Sequence, residues 1–353
     1  MKKKLLALSI GAALTAATVP AMSAELKISG RAHMSVDHLD NSAASDMNVS
    51  SNSSRLRISG NKEVVEGLTV MMQIESAINF HSGTSTLTGR DTFAGLKGDF
   101  GTVRLGEFDT PLKKVRSRTD MFGDRVGDAR NITRNGGVKF DERFKNSVHY
   151  QTPNFNGLTF DIQYSAHNQN VGDRTTANMD KGENALSTAI SYSGNGLFAT
   201  VAYESQSNRA RKVAGGSFTD LEAVRVGLTY DVVKGFRVAG FYQNADSASS
   251  NITTGKRTTY GVGAYYDLNS EYRLRGQFYT ADSNDVKNSG ANLTAFGIDR
   301  RFGRDLTLYG MYAMVDNEKS ANFPIATEGR ETSLISVAGK NQSAFSVGLI
   351  YNF

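Results

Sequence analysis

The stretch 343–353 at the end of the chain alternates with period two. Phe345, Val347, Leu349, Tyr351 and Phe353 fall on one face of an extended strand, and Ser346, Gly348, Ile350 and Asn352 on the other. Termini of soluble domains are usually polar and frayed, so a strand closing on a bare phenylalanine has few soluble homes. A rolled sheet in a bilayer uses such a strand fully. Its apolar face meets hydrocarbon, its small and polar face meets a wet interior, and its backbone bonds to the first strand. A soluble sandwich strand remains the competing reading of this segment taken alone.

The other end decides between them. Lys2, Lys3 and Lys4 precede an apolar run from Leu5 to Val19, followed by Pro20, Ala21, Met22, Ser23 and Ala24. A basic start, a short apolar centre and a small-residue exit make residues 1–24 a secretory signal. Cleavage is placed after Ala24, although Met22 is a poor residue three positions before the cut. The run is shorter than the roughly 20 residues a spanning helix needs. With no cysteine in the chain, neither a disulfide nor a lipid-anchored cysteine is possible. Residues 25–353 must therefore hold together by backbone ladder and burial.

Composition narrows the class further. Glycine is abundant at 35, proline scarce at 4, and tryptophan absent. A mean hydropathy of −0.36 is too polar for a bundle of membrane helices, and no second long apolar run appears. The formal charge of +5 drops by three once the signal lysines leave, so it carries no argument for nucleic acid. Reading for period two yields about sixteen strand segments of spanning length. Leu26, Ile28, Gly30, Ala32, Met34 and Val36 alternate with Lys27, Ser29, Arg31, His33, Ser35 and Asp37 in the first. Leu158, Phe160, Ile162 and Tyr164 alternate with Thr159, Asp161 and Gln163, and Tyr272, Leu274, Gly276 and Phe278 with Arg273, Arg275 and Gln277. Near 91–99 the face is ambiguous, because Phe93 and Leu96 break parity. A strand is also read over 137–151.

The connections alternate too. Short turns such as Gly98–Gly101, Ser193–Gly196, Asp267–Ser270 and Phe302–Asp305 carry the Gly and Asn that tight turns require. Between them lie long polar stretches at 40–52, 81–90, 108–135, 168–183, 207–218, 246–255, 282–290 and 317–340. Counted from a periplasmic start, every long stretch lands outside. The fold class expected is all-β, a transmembrane antiparallel β-barrel of about 16 strands with short periplasmic turns and long extracellular loops.

The run Phe93-Ala94-Gly95-Leu96-Lys97-Gly98-Asp99-Phe100-Gly101-Thr102-Val103-Arg104-Leu105-Gly106-Glu107 with Asp109-Thr110-Pro111, the run Tyr150 to Leu158, and Gly348 to Phe353 resemble the neisserial-type Gram-negative general porins. The resemblance extends from the signal to the last residue, and its first block is the most specific part. It implies a homotrimer in the outer membrane, in contact with membrane lipid and lipopolysaccharide, that passes ions and small hydrophilic solutes by passive diffusion. It also implies that the third long loop, 108–135, folds into the barrel and narrows it, and that the outer-membrane assembly machinery reads Phe353 as its signal.

The chemistry of 108–135 supports a constriction. Charges of both signs crowd it, among them Asp109, Arg116, Arg118, Asp120 and Asp124, and a loop this long is usually functional or disordered. Lumen-facing Arg31, Arg55, Arg57, Arg104, Arg273 and Arg275 would line the wall, with Glu107, Asp109 and Asp120 opposite. Those arginines outnumber the lumen acids Asp37, Glu75 and Asp161, which implies a transverse field with mild anion preference. Charged side chains would also face the lumen for a reason unrelated to transport. An arginine or lysine facing lipid at the midplane costs about 2–4 kcal/mol. No catalytic, metal or cofactor site is expected. His33, His38, His81, His149 and His167 lack ligand spacing, and Asp282-Ser283-Asn284-Asp285 lacks the later glutamate of a calcium loop. A substrate-specific outer-membrane channel and a non-conducting anchor or adhesin remain as alternatives, separable by solute block and by single-channel recording.

Overall fold

The computed structural model describes residues 25–86, 89–134, 140–166, 184–211, 218–249, 252–283, 286–326, 329–332 and 334–353. The signal segment 1–24, the loop 168–183, residues 212–217, Asn135, His167, Asn251, Asn284 and Asp285 lie outside the described residues.

Eighteen antiparallel ladder segments close on themselves. In chain order they are β1 (Glu25–Asp40), β2 (Ser45–Ser51), β3 (Arg55–Val65), β4 (Leu68–Asn79), β5 (Thr84–Thr86), β6 (Thr92–Gly98), β7 (Gly101–Asp109), β8 (Arg143–Gln151) and β9 (Leu158–Ser165). There follow β10 (Ala185–Gly194), β11 (Leu197–Arg211), β12 (Phe218–Val233), β13 (Phe236–Ser249), β14 (Ile252–Asp267), β15 (Tyr272–Ala281), β16 (Ala291–Phe302), β17 (Leu306–Asn317) and β18 (Gln342–Asn352). β1 pairs with β2 along its second half and with β3 along its first, so β2 and β3 form one barrel strand interrupted at 52–54. β5 and β6 likewise share the edge of β4. Counted that way the barrel has the expected sixteen strands. It closes where β1 meets β18, from Arg31 opposite Asn352 to Asp40 opposite Ser343.

The faces follow parity. Outward side chains such as Ile28, Val36, Leu105, Ile190, Val262, Phe296 and Val347 are large, apolar and exposed. A continuous apolar band of this kind on a soluble protein would be an aggregation site, whereas hydrocarbon satisfies it. Inward His33, Asp37, Glu75, His149, Asp161, Gln163, Arg225 and Gln243 are buried and polar. The ambiguity near 91–99 resolves cleanly. Phe93 faces inward against Phe108, at 5.7 Å between ring centres, while Leu96 faces outward. Asn195 and Gly196, with φ of 50° and 77°, form the positive-φ pair that a two-residue hairpin needs.

Several expectations are corrected. β8 begins at Arg143 rather than near 137, because Asp141 adopts a φ of 73° that an extended strand does not allow. The stretch 40–52, expected as loop, contains β2 folded back on β1. Part of the stretch 317–340, expected outside throughout, turns inward. Ala321, Phe323, Ile325, Ala326 and Arg330 are all buried within the barrel.

The chain end is tied at both backbone groups, with the Gly30 N–H donating to the Phe353 carbonyl at 2.7 Å and the Phe353 N–H to Gly30 at 3.1 Å. A side chain at position 30 would collide with the Phe353 ring. Gly30→Val therefore lifts the terminal ring off its seat and breaks the seam between first and last strands. The expected outcome is slower appearance of the folded, heat-modifiable band during refolding in detergent, with Gly60→Val, which meets no terminal ring, close to wild type.

Candidate pore constriction

The loop between β7 and β8 enters the barrel. Its first half is the helix α1 (Pro111–Thr119), and a short second helix is α2 (Arg130–Thr133). α1 starts where it does because the Thr110 hydroxyl accepts from the Lys113 N–H at 3.2 Å and Pro111 occupies the first turn, where no N–H is needed. It lies close to the wall over β12 because Gly227 has no side chain. A Cβ there would press on Val115 and Thr119. Leu112, Phe122, Val126 and Ile132 are fully buried beneath the loop.

Polar anchors fix its path along the wall. The Leu112 N–H donates to the Ser187 hydroxyl at 3.2 Å, and the Met121 N–H to Gln277 at 2.8 Å. Gln277 donates in turn to the Gly127 carbonyl at 2.9 Å, and Gln243 to the Thr133 carbonyl at 2.8 Å. Arg125 pairs with Asp299 at 2.8 Å. Beneath α1 lies a charge cluster in which Arg225 grips Asp141 with two bonds of 2.6 and 2.8 Å, while Arg116 reaches the same carboxylate at 3.3 Å.

An opening of about 620 Å³ remains between this strap and the wall of β1, β3 and β15–β18. Among the described residues, eleven cationic side chains line it against four acidic ones, Asp109, Asp120, Asp124 and Asp299. The sequence-predicted Arg31, Arg55, Asp109, Arg116, Asp120, Asp124, Arg273 and Arg275 all lie on it. Arg57, Arg104, Glu107 and Arg118 do not. Arg57 is spent in a two-pronged pair with Glu75 at 2.8 and 2.5 Å. Arg104 is stacked between the rings of Phe93 and Phe108, at 5.3 and 4.8 Å. Arg118 turns back over Phe198 on the wall. Glu107 is half-buried in β7 beside the irregularity that shifts its register with β8.

Arg90, Arg143, Arg301 and Asp299 also line the opening and were not singled out from sequence. Parity within β16 would have found Asp299 and Arg301, which share a face with Ala295. Arg143 sits beside the β8 register break, and Arg90 in the gap between β5 and β6, where no period operates.

The strap's own acids are unlike one another. Burial opposes ionisation of Asp124, but Arg130 and Arg31 hold its carboxyl well below the usual range. For Asp128 burial is likewise outweighed by Arg130 and Arg116. Burial and the neighbouring Asp128 push Asp120 the other way, up to about 7. The sign is then fixed. Stability contributed by protonated Asp120 is full below its unfolded value and is lost as pH rises through about 7. Over the same range the lining gains a negative charge, so anion preference is expected to fall between pH 6 and 8. Reversal potentials across that range check this, and Asp120→Asn should flatten the dependence.

A profile of Gram-negative porins matches residues 10–320, most of the chain. The chain belongs to the Gram-negative porin family. Among curated relatives, the major outer membrane protein P.IB of Neisseria gonorrhoeae is 30% identical over 209 residues, 57% of this chain and 56% of that protein. The alignment thus spans little more than half of that relative's length. Among solved structures, an anion-selective porin from Comamonas acidovorans superposes with a TM-score of 0.79 at 21% identity, covering 94% of this chain and all of that one. OmpT of Vibrio cholerae, in a trimer form, gives 0.68 at 15% identity, with 94% and 100% coverage. At these identities the two structures speak for the fold of this porin, a closed antiparallel barrel.

Proposed function

We propose that this porin forms an outer-membrane channel for passive diffusion of ions and small hydrophilic solutes, with a mild preference for anions. The observation that carries the reading is an opening inside the closed barrel, lined among the described residues by eleven cations and four acids. Rings of like charge at a constriction select permeant ions by sign. The residues assigned to selection are Arg31, Arg55, Arg273 and Arg275 on the wall and Asp109, Arg116, Asp120 and Asp124 on the strap. No catalytic step is assigned.

Residues 1–24 act as the export signal in this reading, and 25–353 as the barrel. Phe353, exposed at the end of β18 and tied to Gly30, is the feature offered to the assembly machinery. The working unit is a homotrimer embedded in lipid and lipopolysaccharide. Outward aromatic side chains at the short-turn end include Phe100, Phe155, Tyr230, Tyr266, Phe302 and Tyr351. Lipid-facing strands favour such aromatics at the interface.

The test is recording in planar bilayers with the purified mature protein under a salt gradient. Discrete steps with a reversal potential on the anion side are expected. Absence of any step overturns the channel, and a clear cation preference overturns the charge assignment alone. Saturable block by one solute at low concentration would point to a substrate-specific channel instead.

A further inference from the structure

The connection between β17 and β18 does more than link two strands. Its residues 321–326 and 329–332 run inside the barrel, on the side of the loop tip that faces away from Asp299 and Gln277. On one flank Asn317 accepts from the Phe323 N–H at 2.8 Å and donates to the Phe323 carbonyl at 2.9 Å. Gln342 adds a bond of 2.7 Å to the same carbonyl. On the opposite flank Ser53 donates to the Gly329 carbonyl at 3.0 Å, and the Glu331 N–H to Ser50 at 3.1 Å. There Arg330 pairs with Asp37, both side chains wholly buried. Between the flanks the segment holds the tip of the β7–β8 loop. The Gly127 N–H and the Asn131 amide both donate to the Ile325 carbonyl, at 3.0 and 2.9 Å.

We propose that this inward run is a second strap of the pore, latched by Arg330 and Asp37, which clamps the tip of the first strap and so helps to set the bore. The inference rests on the channel reading above. The physical argument is one of sidedness. Toward β15 and β16 the tip is held by Arg125 with Asp299 and by Gln277 with Gly127. On its other side the Ile325 carbonyl takes the two bonds that stop it swinging. A loop held from one side alone samples open positions, because opening it exposes little buried surface. The inward run also fills the space beside β1 and β2 that would otherwise join the opening. A buried ion pair is a suitable latch, since removal of one partner leaves the other charge unpaired out of water.

The chain contains no cysteine, so a single introduced thiol reports on docking. Ala326→Cys, at a position 2% exposed, should react slowly with a small thiol reagent in the otherwise intact protein, and Ile335→Cys, at 83% exposed, quickly. The combined Asp37→Asn and Arg330→Met variant should speed labelling at 326 about tenfold. In the same variant without cysteine, single-channel conductance should rise about 1.5- to 2-fold with added flicker. Heat-modifiable migration verifies folding. Should that variant not fold, Asn317→Ala loosens the strap from its other flank with the same readouts. Fast labelling at 326 with the latch intact overturns the strap. Labelling and conductance both unchanged in the folded double variant overturn the latch, and released labelling with unchanged conductance overturns the role in the bore. A wild-type protein without conductance would sink the channel reading instead, and labelling would still report whether the segment docks.

Discussion

Replacing Arg31, Arg55 and Arg275 together by glutamate is expected to abolish the anion preference of the channel. All three line the opening, and each sits near a strap or wall acid that it currently offsets. Arg31 lies 3.7 Å from Asp124, Arg55 3.9 Å from Glu75, and Arg275 pairs with Asp299. The substitution removes three positive charges and adds three negative ones, so a lining of eleven cations and four acids becomes eight cations against seven acids. Two unit charges 4 Å apart interact by about 1 kcal/mol even in bulk water, and by more where protein walls exclude it. A few such terms suffice to bring the permeability ratio close to unity. Salt screens the effect with a length of about 10 Å at 0.1 M, so the loss is largest in dilute solution. Reversal potentials in a dilute salt gradient read the outcome, and the milder glutamine triple should lose only part of the anion preference. Arg104→Gln is the matched control. Its guanidinium lies between two rings away from the opening, so selectivity should hold while thermal stability falls.

Asp141→Asn is expected to have the largest effect on stability. The carboxylate lies beneath α1 with Arg225 and Arg116, and neither it nor Arg225 has any exposed side-chain surface. Burial opposes its ionisation, but Arg225 and Arg116 hold its carboxyl far below the usual range. Removing one member of a buried ion pair typically costs about 3–5 kcal/mol, because the remaining charge stays out of water without a partner. The neutral amide keeps the shape and loses the charge, so the loss is electrostatic. The barrel ladder is independent of this cluster, hence the folded band should persist in gels while its melting temperature drops. The strap, anchored at Leu112 through Arg225, should loosen and yield noisier currents. By linkage, a group with a depressed folded pKa contributes stability above its unfolded value and loses it as pH falls. Wild type should therefore melt progressively lower on acidification below about pH 4, and Asp141→Asn should show a shallower decline.

Much of this architecture was legible in the sequence because a barrel wall is local. Parity assigns Arg31, Arg55, Arg273 and Arg275 to one side and Ile28, Phe278 and Val347 to the other, without knowledge of which strands meet. The Asn195-Gly196 pair and its counterparts fix the turns for equally local reasons, since positive φ excludes most residues. The strand count follows from those two signals. Period two is blind to whatever lies across the lumen. Arg57 and Arg104 satisfy parity as well as Arg55 does, yet Glu75 neutralises one and two phenylalanine rings cover the other. Arg90 and Arg143 reach the opening from interruptions where alternation fails. The inward run of 321–326 and 329–330 carries no sequence period, because its partners Asp37, Ser53 and Gly127 lie some two or three hundred residues earlier. Sequence alone thus determined the sheet, its two faces and its closure, which depend on bonds between neighbouring strands and on the solvent each face meets. Only the tertiary structure decided which charges remain free to face the bore, because that depends on contacts across a lumen that no local pattern records.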